Sequence, residues 1–285
     1  MSDKGISPKL IGTTSWGRFE EFLAEHKPLP SGLHMIKTGP DVDIVALIAR
    51  ALSDLHKVEI HLDRELASAD IFEVMRKWLS LAERYADRIL PSPTLPELFP
   101  PSIEALSQEI EFIATACLKT LRSHAAVERS SLCQELFRNV LCHNDLLSGN
   151  LMFNEREQSL RLIDFEYSGY NYAVADIANM FCAVCESILI AGEPQDVKRT
   201  FPSPAIQLHT LKYYFGHAIP ADQEDALLAV ISGFAMADEL RWTIWNVIQE
   251  NQSTIEFDYC RCYNSRFNAY LDYKQMFTDR LARLV

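Results

Sequence analysis

The stretch "VLCHNDLLSGNLMFNEREQSLRLIDFEYSGYNYAVADIANMF", residues 140–181, constrains this chain more than any other. It sets His143, Asn144, Asp145, Asn150, Asp164 and Glu166 among short apolar runs. Carboxylates and amides in such surroundings cost free energy unless something pairs with them. "NVLC", "NLMF" and "LRLIDF" each read as a short strand, and "NEREQS" as a tight antiparallel turn. A strand–loop–strand–turn–strand order brings Asp145, Asn150 and Asp164 to one edge.

Phosphoryl transfer from a nucleotide needs that donor set. One carboxylate orients the attacking hydroxyl, and oxygen ligands hold Mg2+ on the phosphates. Mg2+ is held by one or two carboxylates with waters, and an amide oxygen can complete the set. Asp145 is the candidate base, Asn150 a metal ligand on the same loop, and Asp164 a second ligand at the end of the hairpin. The competing reading, in which Asp and Asn only form turns, suits any one of them alone. It suits the ordered set poorly. His143 reads as a brace for the loop rather than a proton carrier.

The rest of the chain is helical. Val42, Val45, Leu47, Ile48, Leu52 and Leu55 recur at helical spacing, with Asp41 as the expected cap. Further helices are expected over 69–88, over 102–124 and in at least three segments beyond 172. Residues 8–25 read as a strand, a Gly-containing turn and a second strand or connector. Five prolines between Pro91 and Pro101 forbid regular structure there and mark a surface connection. The fold expected is α+β and mostly helical, with a β insert at 138–167.

Composition bounds the partners. The net charge of −12 opposes binding to a phosphate backbone, so no nucleic acid is expected. It suits a small cation. No uncharged apolar run reaches the roughly 18 residues of a membrane span. "MSDKGISPKL" has no signal core, and seven cysteines without one imply reduced thiols and a cytoplasmic setting. The pairs Cys182/Cys185 and Cys260/Cys262 fall in apolar segments and read as core rather than zinc ligands.

Asp145-x4-Asn150 and Ile163-Asp164-Phe165-Glu166 stand where protein kinases have their catalytic loop and Asp-Phe-Gly. "HNDLLSGN" and "IDFEYSGYNYAVADIANMF" resemble the signature of choline/ethanolamine kinases. So do "FPSPAIQLHTLKYY", "LRWTIWNVIQ" and "STIEFDYCRCYNSRFNAY". "SPKLIGTTSWGRFEEFL" is similar to that family's hinge. The resemblance covers nearly the whole chain and implies a protein-kinase-like fold. It implies transfer of the γ-phosphoryl of Mg-ATP to ethanolamine or choline, the entry to phospholipid head-group synthesis, and a homodimer.

Carried onto this sequence, the resemblance makes Asp145 the catalytic base and an attractor for the ammonium substrate. Asn150 and Asp164 hold Mg2+, with Glu166 supporting the metal site. His143, Asp176 and Asn179 brace the loop. Trp242 and Trp245 form a wall of the ammonium pocket; they share a helix face, and an indole face attracts a cation. Core packing is their alternative reading. Glu20, Glu21, Phe22 and Leu23 lie at the hinge near adenine. Leu147 is similar to ethanolamine-preferring members, where choline kinases commonly have Gln. Two positions depart from the family: Ala183 replaces a Glu, and Cys262 replaces a pocket Tyr, with Tyr263 beside it.

The phosphate clamp is not legible. The chain has no G-x-G-x-x-G or Walker A pattern, and no Lys on an Ala- or Val-rich strand before the hinge. The expectation is a nearly complete C-lobe over 26–285 and a remnant of the N-lobe and hinge over 1–25. An enzyme of the choline/ethanolamine type is the first reading. A kinase-like binding protein and an aminoglycoside-type phosphotransferase are the alternatives.

Overall fold

The computed structural model describes residues 1–30, 43–59, 70–88, 102–190 and 201–284. The expected cap Asp41 and the proline-rich connection 89–101 lie outside these residues.

The chain opens with an antiparallel hairpin, β1 (Leu10–Thr14) and β2 (Gly17–Glu20). Both strands are mostly exposed, with Ile11, Trp16 and Phe19 on the surface. β3 (Lys27–Pro28) follows and pairs with β5, a contact too short to announce itself in sequence.

Helix α1 (Ile44–Leu55) is capped by Asp43, whose carboxylate accepts the Ala46 N–H at 2.9 Å. The expected cap Asp41 is thereby replaced by the Asp two residues on. Side-chain acceptors start other helices the same way. Asp70 caps α2 (Ile71–Ala82), Ser102 caps α3 (Ile103–Thr115), and Ser203 caps α7 (Pro204–Phe215). A π-helical turn, Ala116–Leu121, extends α3; α4 (Ala125–Arg129) and α5 (Ser131–Leu136) are short.

The polar insert follows. β4 (Asn139–Cys142), β5 (Leu151–Asn154) and β6 (Ser159–Leu162) match the strands read from sequence. They do not form one sheet. β5 pairs with β6, but β4 pairs with an unforeseen strand, β7 (Gly169–Tyr172). The insert is therefore two small sheets, and the loop 143–150 bridges them.

Three further helices complete the core: α6 (Ala173–Ile190), α8 (Glu224–Gln252) and α9 (Tyr259–Leu281). α8 is the central column. Nearly every residue from Ala226 to Ile248 is buried, which is the pattern of a helix enclosed on all sides. α2, α6 and α9 pack around it, so residues on α8 can reach the polar insert from below. No helix among the described residues is long and apolar enough to cross a membrane.

Candidate active site

The loop after β4 is held by its backbone. Asp176, in the first turn of α6, is fully buried. Its Oδ2 accepts the His143 N–H and its Oδ1 the Asn144 N–H, both at 2.7 Å. His56, at the end of α1, places Nε2 3.0 Å from Asp176 Oδ2 and Nδ1 2.8 Å from the Tyr214 hydroxyl. Burial works against the Asp176 charge. The bonds from His56 and the loop amides outweigh it and hold the carboxyl below its usual range. One turn further, Asn179 accepts the Leu146 N–H at 2.6 Å and donates to Asp238 of α8 at 3.1 and 3.2 Å.

His143 ties the loop to the hairpin. Its Nδ1 accepts the Asp145 N–H at 3.3 Å, so Nε2 carries the proton and donates to Ile163 O at 2.9 Å. Its ring packs 4.8 Å from Phe165. Asn144 (φ 64°) and Asp164 (φ 62°) both have left-handed backbone, uncommon for residues other than Gly. Asn144 is fixed there by its Nδ2 bond to Tyr167 O at 3.0 Å and by the Asn171 amide at 2.9 Å. Strain of this kind persists only where surrounding bonds over-determine it.

Asp145 is buried, and Asn150 lies against it. The Asn150 amide donates to Asp145 O at 2.9 Å and to Asp145 Oδ2 at 3.1 Å. Both bonds use Nδ2, which leaves the Asn150 Oδ1 as the oxygen for a ligand. The Ile163 N–H donates to Asn150 O at 3.1 Å, which joins the loop to the residue before Asp164. Asp164 and Glu166 are exposed and make no hydrogen bond or ion pair among the described residues. Uncommitted carboxylates and an amide oxygen are the hard donors that Mg2+ takes, so the residues present fit that ion.

An aromatic wall stands beside this edge. The Trp242 and Trp245 rings are 5.5 Å apart and nearly perpendicular. Trp245 Nε1–H donates to the Tyr167 hydroxyl at 2.9 Å, and the Tyr167 ring lies 5.5 Å from Trp242. Trp78 of α2 touches both Tyr167 and Trp242, and Tyr259 of α9 packs 6.0 Å from Trp245. Burial, together with the charges of Glu166 and Asp145, pushes the Tyr167 phenol up. Trp78, Tyr167 and Tyr259 were not singled out from sequence. Trp78 sits in an ordinary amphipathic pattern that gives no signal, whereas Tyr167, three residues after Asp164, could have been found.

The four residues expected at a hinge make their bonds elsewhere. Glu20 pairs with Arg18 at 2.8 Å, Glu21 bonds the Lys9 backbone, Phe22 is 89% exposed, and Leu23 is half-buried. None bonds to the 143–167 segment among the described residues. Cys182 is buried and donates to Ala235 O, as core placement implies.

The model of the choline/ethanolamine kinase family matches residues 1–271 of this chain. The chain belongs to the choline/ethanolamine kinase family. It is 30% identical over 274 residues to ethanolamine kinase 2 of Rattus norvegicus, covering 95% of this chain. It is 28% identical over 295 residues to choline kinase alpha of Mus musculus, covering 96%. The chain spans 62% and 59% of the lengths of those two relatives. An ethanolamine kinase structure from Plasmodium vivax superposes with a TM-score of 0.71 at 21% identity, over 98% of this chain and 71% of that one. The protein-kinase-like fold, α+β and mostly helical, is that of these kinases.

Proposed function

We propose that this family member transfers the γ-phosphoryl of Mg-ATP to the hydroxyl of ethanolamine or choline. The bond between Asn150 and Asp145 carries the reading, because it couples the candidate base to a candidate metal ligand. Asp145 takes the hydroxyl proton as the oxygen attacks phosphorus, the bond to the β,γ-bridging oxygen breaks, and ADP leaves. Asn150 Oδ1 and Asp164 hold Mg2+, with Glu166 in support. The ion, when bound, neutralises charge on the phosphates. Asp176, Asn179 and His143 keep the loop in place. Trp242 and Trp245 face the ammonium, and Glu20 to Leu23 lie along the adenine.

Ethanolamine is the better acceptor on this reading. A primary ammonium needs acceptors for three N–H donors, and Asp145 and Glu166 supply carboxylates. A quaternary ammonium needs a wide aromatic cage. Cys262 removes one ring from it, although Tyr259 on the same helix face restores aromatic contact with Trp245. The product would enter phospholipid head-group synthesis in the cytoplasm.

Incubation of the chain with Mg-ATP and ethanolamine should give phosphoethanolamine and ADP one for one. Replacing Asp164 by Ala should raise the Mg2+ concentration required. The exposed apolar hairpin, with Trp16 80% exposed, favours a second reading as a binding protein without turnover. Binding of ethanolamine with no phosphoethanolamine formed would select that reading.

A further inference from the structure

A cavity borders the loop at Asn144, and its lining differs from the acidic edge. It measures about 160 Å³ and is bounded by Trp78 and Val74 of α2, Asn144, Tyr167, Ser168 and Arg241, among others. Among the described residues no carboxylate lines it, and Arg241 is the charged wall residue. Arg241 is paired with Asp238 at 2.7 Å, so what the cavity offers a ligand is the remaining guanidinium donors, which suit an anionic acceptor.

Arg241 is 3% exposed and incompletely satisfied. Its Nη2 donates to Asn144 O and to Asp238 Oδ1, each at 2.7 Å. Among the described residues its Nε finds no hydrogen-bond partner, and Nη1 makes no bond. The Trp242 ring, 4.7 Å from the guanidinium carbon, meets the guanidinium face and leaves its edge donors unused. Buried guanidinium hydrogens without acceptors are costly, and a bound acceptor relieves that cost. Tyr167 adds a donor. Its oxygen already accepts from Trp245, and its own O–H has no acceptor among the described residues.

Tyr167 shares the cavity wall with Arg241 and lies one residue from Glu166. Ethanolamine offers a hydroxyl and an ammonium, which suit the acidic side, and has nothing for Arg241. An acceptor with a carboxylate on its amine carbon has all three groups. From this arrangement we infer that the site accepts zwitterionic hydroxy amino acids of the serine type, with Arg241 and Tyr167 binding the carboxylate. The inference rests on the phosphotransferase reading for its chemistry. The serine oxygen would form the bond to the γ-phosphorus while the bond to the β,γ-bridging oxygen breaks. Asp145 takes the hydroxyl proton, and ADP carries away the bonding electron pair.

The test is calorimetric binding of L-serine and of ethanolamine to the full chain, with turnover of each measured in parallel using Mg-ATP. The expected result is that L-serine binds. In Arg241→Met its affinity falls roughly 10- to 100-fold, the loss of a charge-assisted hydrogen bond, while ethanolamine affinity changes much less. Because Arg241 also holds Asn144 O, Val74→Phe provides a second variant that fills the cavity and leaves those bonds in place. It should also lower the ratio of serine to ethanolamine affinity. Absence of serine binding while ethanolamine binds or is phosphorylated overturns the inference and leaves the kinase reading intact. Arg241-dependent serine binding without turnover of either acceptor supports the subsite and counts against the kinase reading. Equal losses for both ligands in both variants would make Arg241 a structural brace only and overturn the inference.

Discussion

Asp176→Asn isolates what holds the loop after β4. The Asp176 carboxylate accepts three bonds: from His143 N and Asn144 N, both at 2.7 Å, and from His56 Nε2 at 3.0 Å. Asn keeps one oxygen and turns the other acceptor into a donor. The two bonds on that side are lost, each worth about 1.5–3 kcal/mol when the acceptor is charged. His56 can shift its proton to Nδ1 and accept from the new amide, recovering about 1 kcal/mol. The net loss is about 3 kcal/mol, or a fall in melting temperature of roughly 6–12 °C for a chain of this size. Because the carboxyl is held below its usual range in the folded state, its contribution is complete above the unfolded value near 3.8 and fades as pH falls below that. Calorimetric unfolding of both proteins at pH 7 and at pH 3 should show the gap narrow in acid. A loss under about 1 kcal/mol at pH 7, or a gap that widens in acid, would refute the reasoning.

Other expectations concern the wall and the core. Trp245→Phe removes the bond to the Tyr167 hydroxyl; a loss of about 1 kcal/mol should raise the KM for ethanolamine roughly fivefold and leave the KM for ATP unchanged in initial-rate assays. Gly233→Ala places a methyl 3.0 Å from Cys117 Sγ and 3.4 Å from Phe277. Overpacking of about 1–3 kcal/mol should exceed the gain of about 1 kcal/mol in helix propensity, read as a lower urea midpoint. Burial pushes the Cys142 thiol well up, so iodoacetamide at pH 8 should leave it unmodified in the native protein, as read by peptide mass spectrometry.

The candidate site residues stand out in the sequence because they lie close together in it. Asp145, Asn150 and Asp164 span one loop and one hairpin, whose strands alternate and turn in the usual way. The bonds that set their geometry are long-range and left no local trace. His56 reaches Asp176 across 120 residues, and Arg241 reaches Asn144 across 97. β3 has two residues, too few for a period to show, and β7, Gly-Tyr-Asn-Tyr, carries Gly and Asn, which strands disfavour. Asp41 and Asp43 are equivalent caps in sequence, and only the Ala46 bond distinguishes Asp43. The buried pairs Asp238–Arg241 and Glu239–Arg266 interrupt the apolar pattern of α8. Burial, opposed by Arg241, Arg266 and Asn179, raises the Asp238 carboxyl, whereas the bonds from His56 and the loop hold Asp176 below its usual range.

The most direct measurement is transfer of the radiolabelled γ-phosphoryl of ATP to ethanolamine by the chain and by its Asp145→Ala variant, both shown to be folded. The account predicts labelled phosphoethanolamine from the first and a rate lower by about 10²–10⁴ from the second, the range for loss of a general base. Equal rates from the two proteins would contradict it.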